Sequence, residues 1–281
     1  MPGIRDLRSD AIRTLAISGI PTPYYEIDLI LTKILGTDRA YLHTHPEEQV
    51  PEEQISIFKD MIRRRAAREP LQYLLGSVSF YGYQIKVGTG VLIPRPETEI
   101  LVQEALNHFE KGTFLDWGTG TACISIALLS ETEDSRAIAI ERNSRAIRWA
   151  WRNLADHRLF NRVLLLHLDG LQPLPVEDNS LDLMVSNPPY IKSADLTDLM
   201  DEVRSHEPSI ALDGGFAGTD MYPPILELAG KKLKRGAYLI VECGGDNQAE
   251  YLSSLSVNGM VHVFTRADLS GEPRVVGWRR V

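Results

Sequence analysis

Residues 114–130, FLDWGTGTACISIALLS, decide the fold, because a short apolar strand runs through a Gly-x-Gly turn directly into an apolar helix. Gly118 and Gly120 let the backbone turn tightly and let a ligand approach it without a Cβ in the way. The helix start beyond them offers free N–H groups and a positive dipole, which suit a small nucleotide-like ligand. By itself, however, the pattern is also typical of a tight turn that binds nothing.

Around this stretch, from Thr113 onward, short apolar runs alternate with helical patterns, which predicts a parallel sheet flanked by helices. The predicted strands are 114–117, 137–140, 163–168, 181–186 and 238–243. The tail adds MVHVFT (260–265) and RVVGWRR (274–280) around the turn LSGEP, which predicts an antiparallel C-terminal hairpin. The fold class is therefore α/β, with a Rossmann-like, mostly parallel sheet.

The first part of the chain has a different hydrophobic pattern, since its apolar residues recur at helical spacing, as in Ile27, Ile30 and Leu31. This spacing predicts a small N-terminal helical bundle. The segment SVSFYGYQIKV (77–87) then alternates around a Tyr81-Gly82 turn, which predicts a short β-hairpin. We therefore predict a helical domain over 1–75, a β-hairpin linker over 76–90 and the α/β domain over 91–281.

Charge and hydropathy exclude several classes of protein. The formal net charge is −8, whereas proteins that grip long nucleic acid generally carry a basic surface, so extended nucleic-acid binding is disfavoured. No window approaches the roughly 18 consecutive apolar residues of a membrane span, and the N-terminus lacks the apolar core of a secretory signal. We therefore expect no membrane association and a cytoplasmic location.

An arginine cluster and the two cysteines can each be interpreted either as ordinary structural residues or as part of a binding site. The cluster Arg63, Arg64, Arg65 and Arg68 is either a local basic patch or a solvated helix end. Cys123 and Cys243 each lie in an apolar run without a Cys or His at metal-ligand spacing, which predicts buried free thiols. We expect no metal ion.

Acidic residues follow three consecutive predicted strands, namely Asp116, Glu141 and Asp169, the last with Gly170 beside it. Ligands of such sheets bind outside the carboxyl ends of the strands, where Glu141 can accept hydrogen bonds from a ribose diol. The pyrophosphate of a dinucleotide is repelled by carboxylates, whereas the sulfonium and ammonium of S-adenosylmethionine are stabilised by them. The acids therefore favour S-adenosylmethionine over a dinucleotide.

The fourth predicted strand ends in the most specific motif of the chain, Asn187-Pro188-Pro189-Tyr190. An Asn-Pro pair is also typical of an ordinary turn. Its place at the fourth strand end, in a sheet whose first strand carries the Gly-x-Gly turn, favours a function. We interpret the four residues as the pocket for a planar amide or amino nitrogen.

These motifs resemble those of the Asn-Pro-Pro-Tyr amino-methyltransferases, which include adenine-N6 DNA methyltransferases and protein glutamine-N5 methyltransferases. Within that group the chain resembles the HemK-type release-factor glutamine methyltransferases over nearly its whole length. The resemblance is carried by LIPRPETE (92–99), DWGTGTACI (116–124), Glu141 followed by Ala146 and Asn153, VSNPPYI (185–191), EPSIALDGG (207–215), DLSGEPRVV (268–276) and the helical N-terminal segment.

The resemblance implies the substrate, the cofactor and the roles of single residues. It implies transfer of a methyl group from S-adenosylmethionine, with S-adenosylhomocysteine as product, to the glutamine of the Gly-Gly-Gln motif in class-1 peptide chain release factors. The N-terminal helical domain would contact that protein substrate. Asn187 Oδ1 and the Pro188 carbonyl would accept the amide N–H groups, Pro189 would complete the pocket and Tyr190 would stack on the amide plane.

The implied cofactor contacts follow the strand ends. They are Gly118, Thr119, Gly120, Thr121 and Ala122, with Glu141 on the ribose, Asp169 and Gly170 near the adenine, and Asn187. The family more often has leucine at 117, glycine at 122 and aspartate at 141. This chain has Trp117, Ala122 and Glu141, and these departures are expected to change its affinity for the cofactor and not the identity of the cofactor.

Alternative functions remain open from the residues alone. The acceptor nitrogen could belong to a ribosomal-protein glutamine or to adenine in nucleic acid, although no added target-recognition domain is visible and the charge is unfavourable. A protein of a different class, a cofactor-binding scaffold for a translation factor, would not require an intact Asn187 to Tyr190 motif. The oligomeric state is not indicated by the sequence.

Overall fold

The computed structural model of the protein describes residues 2–281, and these form two compact units. One unit comprises the described residues up to Ser77 together with Met200–His206. The other comprises Val78–Leu199 and Glu207–Val281. The helices are α1 (Ile4–Ile17), α2 (Pro23–Leu35), α3 (Arg39–Thr44), α4 (Glu52–Ala66), α5 (Leu71–Leu75), α6 (Thr98–His108), α7 (Cys123–Glu131), α8 (Ala146–Asp156), α9 (Asp201–His206), α10 (Tyr222–Lys232) and α11 (Asp246–Ser254).

The smaller unit is a helical bundle, as the apolar spacing predicts. Its helices α1, α2 and α4 bury one apolar face each around fully enclosed residues such as Leu15, Ile27 and Ile30. Two residues that predict helix ends in the sequence form those ends in the structure. The Asp38 carboxylate caps α3 by accepting the N–H of Tyr41 at 2.8 Å, and Gly36 ends α2 in the left-handed conformation at φ 66°.

The arginine cluster at the end of α4 is paired with carboxylates of the same unit. Arg65 is buried and contacts Glu26 Oε2 at 2.5 Å and Glu202 Oε1 at 3.1 Å. Arg68 contacts the other oxygen of Glu202 at 2.8 Å, and Arg64 pairs with Glu69 at 2.6 Å. The cluster is therefore mostly neutralised locally, and the interpretation as a free basic patch is wrong.

The larger unit is built on a seven-stranded sheet. The strands of the chain are β1 (Ser77–Phe80), β2 (Tyr83–Lys86), β3 (Gly112–Trp117), β4 (Ser135–Glu141), β5 (Val163–His167), β6 (Leu181–Ser186), β7 (Leu233–Glu242), β8 (Met260–Ala267) and β9 (Pro273–Arg280). The order across the large sheet is β5-β4-β3-β6-β7-β9-β8. The first five of these strands run parallel and β9 is antiparallel to β7 and β8, which confirms the predicted fold class.

The predicted hairpin around Tyr81 and Gly82 is confirmed. Strands β1 and β2 form a two-stranded sheet, and the two turn residues have φ values of 50° and 81°. Positive φ at both positions is what a tight two-residue hairpin turn requires.

Three further expectations have outcomes in the structure. Cys123 and Cys243 are buried free thiols, as predicted. Among residues 2–281, no helix combines the length and the apolar character that crossing a membrane needs. The same residues contain no group of His, Cys, Asp and Glu side chains arranged to hold a metal ion, and the expected lack of a metal stays a prediction.

Candidate active site

The strand order reverses between β3 and β6, and this reversal brings the two predicted motifs together. Trp117, the last residue of β3, is the parallel partner of Ser186, the last residue of β6. The Ser186 hydroxyl also donates to the Trp117 carbonyl at 2.8 Å. Gly118 and Asn187 therefore leave the sheet on adjacent strands, at the switch point where such sheets bind ligands.

A cavity of about 910 Å³, including its opening to solvent, lies at this switch point. It is lined by the predicted site residues Gly118, Thr119, Gly120, Thr121, Glu141, Gly170, Asn187 and Pro189. Ala122, Asp169, Pro188 and Tyr190 do not line it. Ala122 is fully buried at the start of α7 with φ 66°, a left-handed conformation that explains why glycine suits this position.

The glycine turn is fixed by hydrogen bonds from neighbouring main-chain and side-chain groups. Gly118 and Gly120 have φ values of 74° and 56°, and the N–H groups of Gly118 and Thr119 both donate to the Ile140 carbonyl. The fully buried amide of Asn153 donates to the Thr121 carbonyl at 3.0 Å and bonds both main-chain groups of Lys86 in β2. The backbone of the glycine turn is thus fixed in one conformation before a ligand binds.

The three strand-end acids have different environments. Glu141 lines the cavity, where Oε2 accepts the N–H of Gly120 at 2.9 Å and Oε1 accepts that of Asn143 at 2.7 Å. Burial raises its pKa, and these backbone hydrogen bonds oppose the rise. Each oxygen of a carboxylate has a second lone pair, so Glu141 can still accept hydrogen bonds from a ribose diol.

Asp116 faces the interior of the protein. One of its oxygens accepts hydrogen bonds from Thr119 and Ser125, both at 2.6 Å, and burial raises the pKa of the carboxyl to about 6. Asp169 accepts the N–H of Leu171 at 3.0 Å in its own turn. Of the three acids, Glu141 lines the cavity and Asp116 is turned into the interior, and the role predicted for Asp169 beside the adenine stays a prediction.

The side chain of Asn187 is held at the cavity wall by Thr98, which also lines the cavity. Its Nδ2 donates to Thr98 Oγ1 at 3.0 Å, which leaves Oδ1 for the cavity that Asn187 lines. The next residues are also fixed, since the Tyr190 hydroxyl donates to Glu242 Oε1 at 3.2 Å and the Tyr190 carbonyl accepts from Gln248 at 2.7 Å. The motif therefore offers Asn187 Oδ1 as a fixed hydrogen-bond acceptor beside the glycine turn.

Comparison with known proteins identifies the family of this site. A family model described as the PrmC N-terminal domain matches residues 6–76, and one described as the methyltransferase small domain matches residues 96–205. A release factor glutamine methyltransferase of Geobacter sulfurreducens is 39% identical over 94% of this chain and 92% of its own length. The chain belongs to the release factor glutamine methyltransferase family. The predicted enzyme class and the predicted cofactor, S-adenosylmethionine, are thereby confirmed.

Other members of the family match over similar spans. The protein of that name from Caulobacter vibrioides is 36% identical over 92% of this chain and 90% of its own length. The one from Mycolicibacterium smegmatis is 34% identical over 100% of this chain and 99% of its own. A solved structure from Pyrococcus horikoshii, 13% identical, superposes with a TM-score of 0.50 over 72% of this chain and 70% of its own, which concerns the fold alone.

Two of the segments that carry the family resemblance are bonded to each other at the cavity wall. The side chain of Glu207, from EPSIALDGG, accepts the N–H of Ile93 at 3.1 Å and binds Arg95 at 2.5 Å, both from LIPRPETE. Arg95 and Pro208 line the cavity. Both segments carry the family resemblance, but nothing in the sequence indicates that they contact each other.

Two residues next to the predicted site were not among the predicted site residues: Thr98 lines the cavity, and Glu242 accepts the Tyr190 hydroxyl. Thr98 lies within LIPRPETE, where nothing in the pattern distinguishes it from its neighbours. Glu242 ends β7, so the rule that ligands bind at the carboxyl ends of strands indicates it just as it indicates Glu141.

The site also yields a prediction about Trp117 and Gly170. A methyl group at Gly170 would lie 2.1 Å from Trp117 Nε1, so Gly170→Ala is expected to displace the indole that lines the cavity. Overpacking of this kind costs about 1–3 kcal/mol, and we expect lower thermal stability and weaker S-adenosylmethionine binding. Calorimetry and thermal unfolding measure both effects.

The variant Trp117→Leu provides the matched control for this prediction. Leucine at 117 removes the indole atoms at 2.1 and 2.5 Å, so Gly170→Ala should have a smaller effect in the Trp117→Leu background, where the contact with Ile140 Cδ1 at 2.9 Å remains. An equal loss in the two backgrounds would contradict the proposed clash between the Gly170 methyl and the indole.

Proposed function

We propose that this chain methylates the N5 amide nitrogen of the glutamine in the Gly-Gly-Gln motif of class-1 peptide chain release factors. The observation that carries the proposal is the orientation of Asn187, whose Nδ2 is bound by Thr98 so that Oδ1 is left for the cavity beside the glycine turn. An oxygen acceptor at this place suits an N–H-bearing nitrogen. Membership of the release factor glutamine methyltransferase family supports a glutamine as its source.

The cavity fits S-adenosylmethionine by the chemistry of its lining. The open backbone at Gly118 and Gly120 admits a ligand closely, and Glu141 offers acceptors for a ribose diol. When bound, the cofactor supplies an electrophilic methyl group on a positively charged sulfur. We propose that Gly118, Thr119, Gly120, Thr121, Glu141, Gly170 and Asn187 bind it directly, with Ala122 and Asp169 shaping the turns beneath.

The protein has to position a poor nucleophile, because an amide lone pair is delocalised into its carbonyl. We propose that Asn187 Oδ1 and the Pro188 main-chain carbonyl each accept one N–H of the glutamine amide. Two acceptors at fixed positions restrict the amide nitrogen to the attack geometry, and proline rigidity keeps the second one in place. Tyr190 then packs against the amide plane, and the proton that the nitrogen loses on methylation passes to bulk water.

We also propose the domain roles and the location that the sequence indicates. The helical domain, predicted over 1–75, contacts the release factor, while the hairpin over 76–90 connects it to the methyltransferase domain over 91–281. The enzyme acts in the cytoplasm, and it does not bind extended nucleic acid. The net charge of −8 supports the last point, since counterion release on DNA requires basic residues.

Mass spectrometry tests the proposed function directly. A class-1 release factor is incubated with the enzyme and S-adenosylmethionine, and the peptide containing Gly-Gly-Gln is examined for one added methyl group on glutamine. We expect complete conversion when the enzyme is present and none without it. Methylation of a ribosomal protein or of adenine, with no change in the release factor, would replace this proposal, and cofactor binding without transfer would favour a scaffold.

The role of Glu141 yields a prediction on cofactor affinity. Removal of its carboxylate by Glu141→Ala is expected to weaken S-adenosylmethionine binding by about 10–100-fold, since hydrogen bonds to a charged group contribute roughly 1.5–3 kcal/mol. Asp169→Ala is the matched control, because Asp169 does not line the cavity and should change the affinity much less. Equal effects of the two substitutions, measured by calorimetry, would refute the distinction between these acids.

A further inference from the structure

Phe216 is an aromatic residue whose side chain is 94% exposed, in a loop of residues 214–218 that we call the Phe216 loop. The loop follows directly on the segment EPSIALDGG, which carries part of the family resemblance. Single exposed apolar side chains are common on protein surfaces, so exposure alone does not indicate a partner. The significance of Phe216 depends on where the loop holds it and how firmly.

The Phe216 loop is bonded at both of its ends to the chain that leaves β6 through the Asn-Pro-Pro-Tyr motif. At one end, the Gly214 N–H donates to the Ile191 carbonyl at 2.8 Å. At the other end, Gln248 Nε2 donates to the carbonyls of Tyr190 at 2.7 Å and Gly218 at 3.1 Å. The loop is therefore fixed to the motif that holds the acceptor nitrogen.

Glycine at the two ends of the loop lets the backbone lie directly against the motif. A Cβ at Gly214 would lie 2.7 Å from the Pro189 carbonyl oxygen, and one at Gly218 would lie 2.5 Å from the Tyr190 carbonyl oxygen. Contacts this close exclude any larger residue without a shift of the backbone. Two residues of extended chain span at most about 7 Å, so the Phe216 Cα lies within that distance of both glycines.

The mouth of the cavity beside this loop is also apolar. Ile210, from the same segment of the chain, lines the cavity and is 40% exposed. Phe216 does not line the cavity, so a ligand inside the cavity would leave its ring uncovered. A glutamine that places its amide nitrogen at Asn187 belongs to a polypeptide, and that polypeptide has to pass over the mouth of the cavity. It is therefore the molecule that can cover Phe216.

The charges of this segment favour a protein over a nucleic acid at the same place. Residues 207–220 contain Glu207, Asp213 and Asp220 but no lysine or arginine. An aromatic side chain that stacks on a base is generally accompanied by basic residues that neutralise the phosphates. The surroundings of Phe216 are suited instead to an apolar or basic protein surface.

We propose that Phe216 is a substrate-binding residue that packs against an apolar part of the release factor next to its Gly-Gly-Gln motif. The inference rests on the proposed function of the Asn187 site, and it adds a contact outside the cavity to that site. The rigid loop places the ring without a further loss of backbone freedom, so covering it with the substrate favours binding.

The test substitutes Phe216→Ala and measures methylation of an intact class-1 release factor. We expect the KM for the release factor to rise about 10–100-fold, the factor that corresponds to burial of one phenylalanine side chain. The kcat at saturation and the S-adenosylmethionine Kd should stay within about twofold of wild type, because the ring binds ground state and transition state alike. Phe216→Leu keeps an apolar side chain and should retain most of the affinity. A wild-type KM in Phe216→Ala would overturn the proposal.

The matched control is Phe160→Ala in the same unit. Phe160 is also exposed, at 39%, and it lies just before β5, at the opposite end of the parallel strands from the cavity. Its removal should leave the KM for the release factor and kcat unchanged. An equal rise of the KM in the two variants would show a general loss of surface hydrophobicity and would overturn a specific role of Phe216.

Photo-cross-linking locates the partner directly. The enzyme is prepared with p-benzoylphenylalanine in place of Phe216, mixed with the release factor and S-adenosylhomocysteine, and irradiated. We expect mass spectrometry to find the cross-link on the release-factor peptide that contains Gly-Gly-Gln or on a peptide that flanks it. A cross-link only to a second copy of the enzyme, or only to a distant part of the release factor, would overturn the proposal.

The outcomes separate failure of this inference from failure of the proposed function. If the wild-type enzyme methylates the release factor and Asn187→Ala reduces transfer, an unchanged KM in Phe216→Ala overturns the role of Phe216 alone. If the wild-type enzyme methylates no release factor, the proposed function fails, and the contact proposed for Phe216 fails with it.

Discussion

Replacement of Asn187 by alanine is expected to lower kcat for glutamine methylation by roughly 10²–10³-fold, the range found when one fixed polar contact to a reacting group is removed. The loss should fall on kcat because Oδ1 acts on the substrate nitrogen. Binding of S-adenosylmethionine should weaken much less, since the glycine turn and Glu141 remain. Single-turnover kinetics with the release factor, together with calorimetry of the cofactor, separate the two effects.

The control for this prediction is Asn258→Ala, because Asn258 is exposed and does not line the cavity. It should leave kcat and cofactor affinity at wild-type values. Equal losses of transfer and of cofactor binding in Asn187→Ala would remove the role of Oδ1 in substrate alignment and make Asn187 a cofactor contact only.

A second large effect is expected on stability, in the helical unit. Arg65→Met is expected to lower the free energy of unfolding by about 3–5 kcal/mol, because removal of one partner from a buried ion pair leaves an uncompensated charge. Glu26 would be that charge, since it is 6% exposed and its contact with Arg65 at 2.5 Å would be lost. Urea unfolding followed by circular dichroism measures the change.

Two further variants sharpen this prediction. Arg63→Met removes an exposed arginine of the same helix that pairs with Asp60, and it should leave unfolding nearly unchanged. The double variant of Arg65→Met with Glu26→Leu removes both charges and should recover a large part of the loss. A double variant as unstable as Arg65→Met alone would show that packing around the guanidinium, not the unpaired charge, causes the loss.

Local patterns in the sequence were sufficient for the fold. Apolar runs predict the strands of the large sheet to within a few residues, because fully buried parallel strands are apolar on both faces. The turn at Tyr81-Gly82 and the cap at Asp38 were equally readable, since both depend on adjacent residues. Bounds are less accurate where polar residues extend a strand, as in β7, which begins at Leu233 and not at Tyr238.

The site could be predicted where function depends on a contiguous motif. Asn187 and the glycine turn were found because each is a short segment at a strand end. The direction of a strand-end side chain depends on tertiary contacts, and for this reason Asp116 was taken as a ligand-facing acid although it binds Thr119 and Ser125. Glu242 was missed for the related reason that the Tyr190 hydroxyl, which donates to its side chain, is 52 residues away in the chain.

The short helix α9 changes how this protein can be divided. Met200–His206 belongs to the helical unit, where Glu202 binds Arg65 and Arg68, although it lies within the chain of the methyltransferase domain. No single cut therefore releases an intact helical unit. A fragment ending near residue 77 would lack the Glu202 carboxylate, and exchange of N-terminal domains between relatives would have to carry both segments to keep these ion pairs.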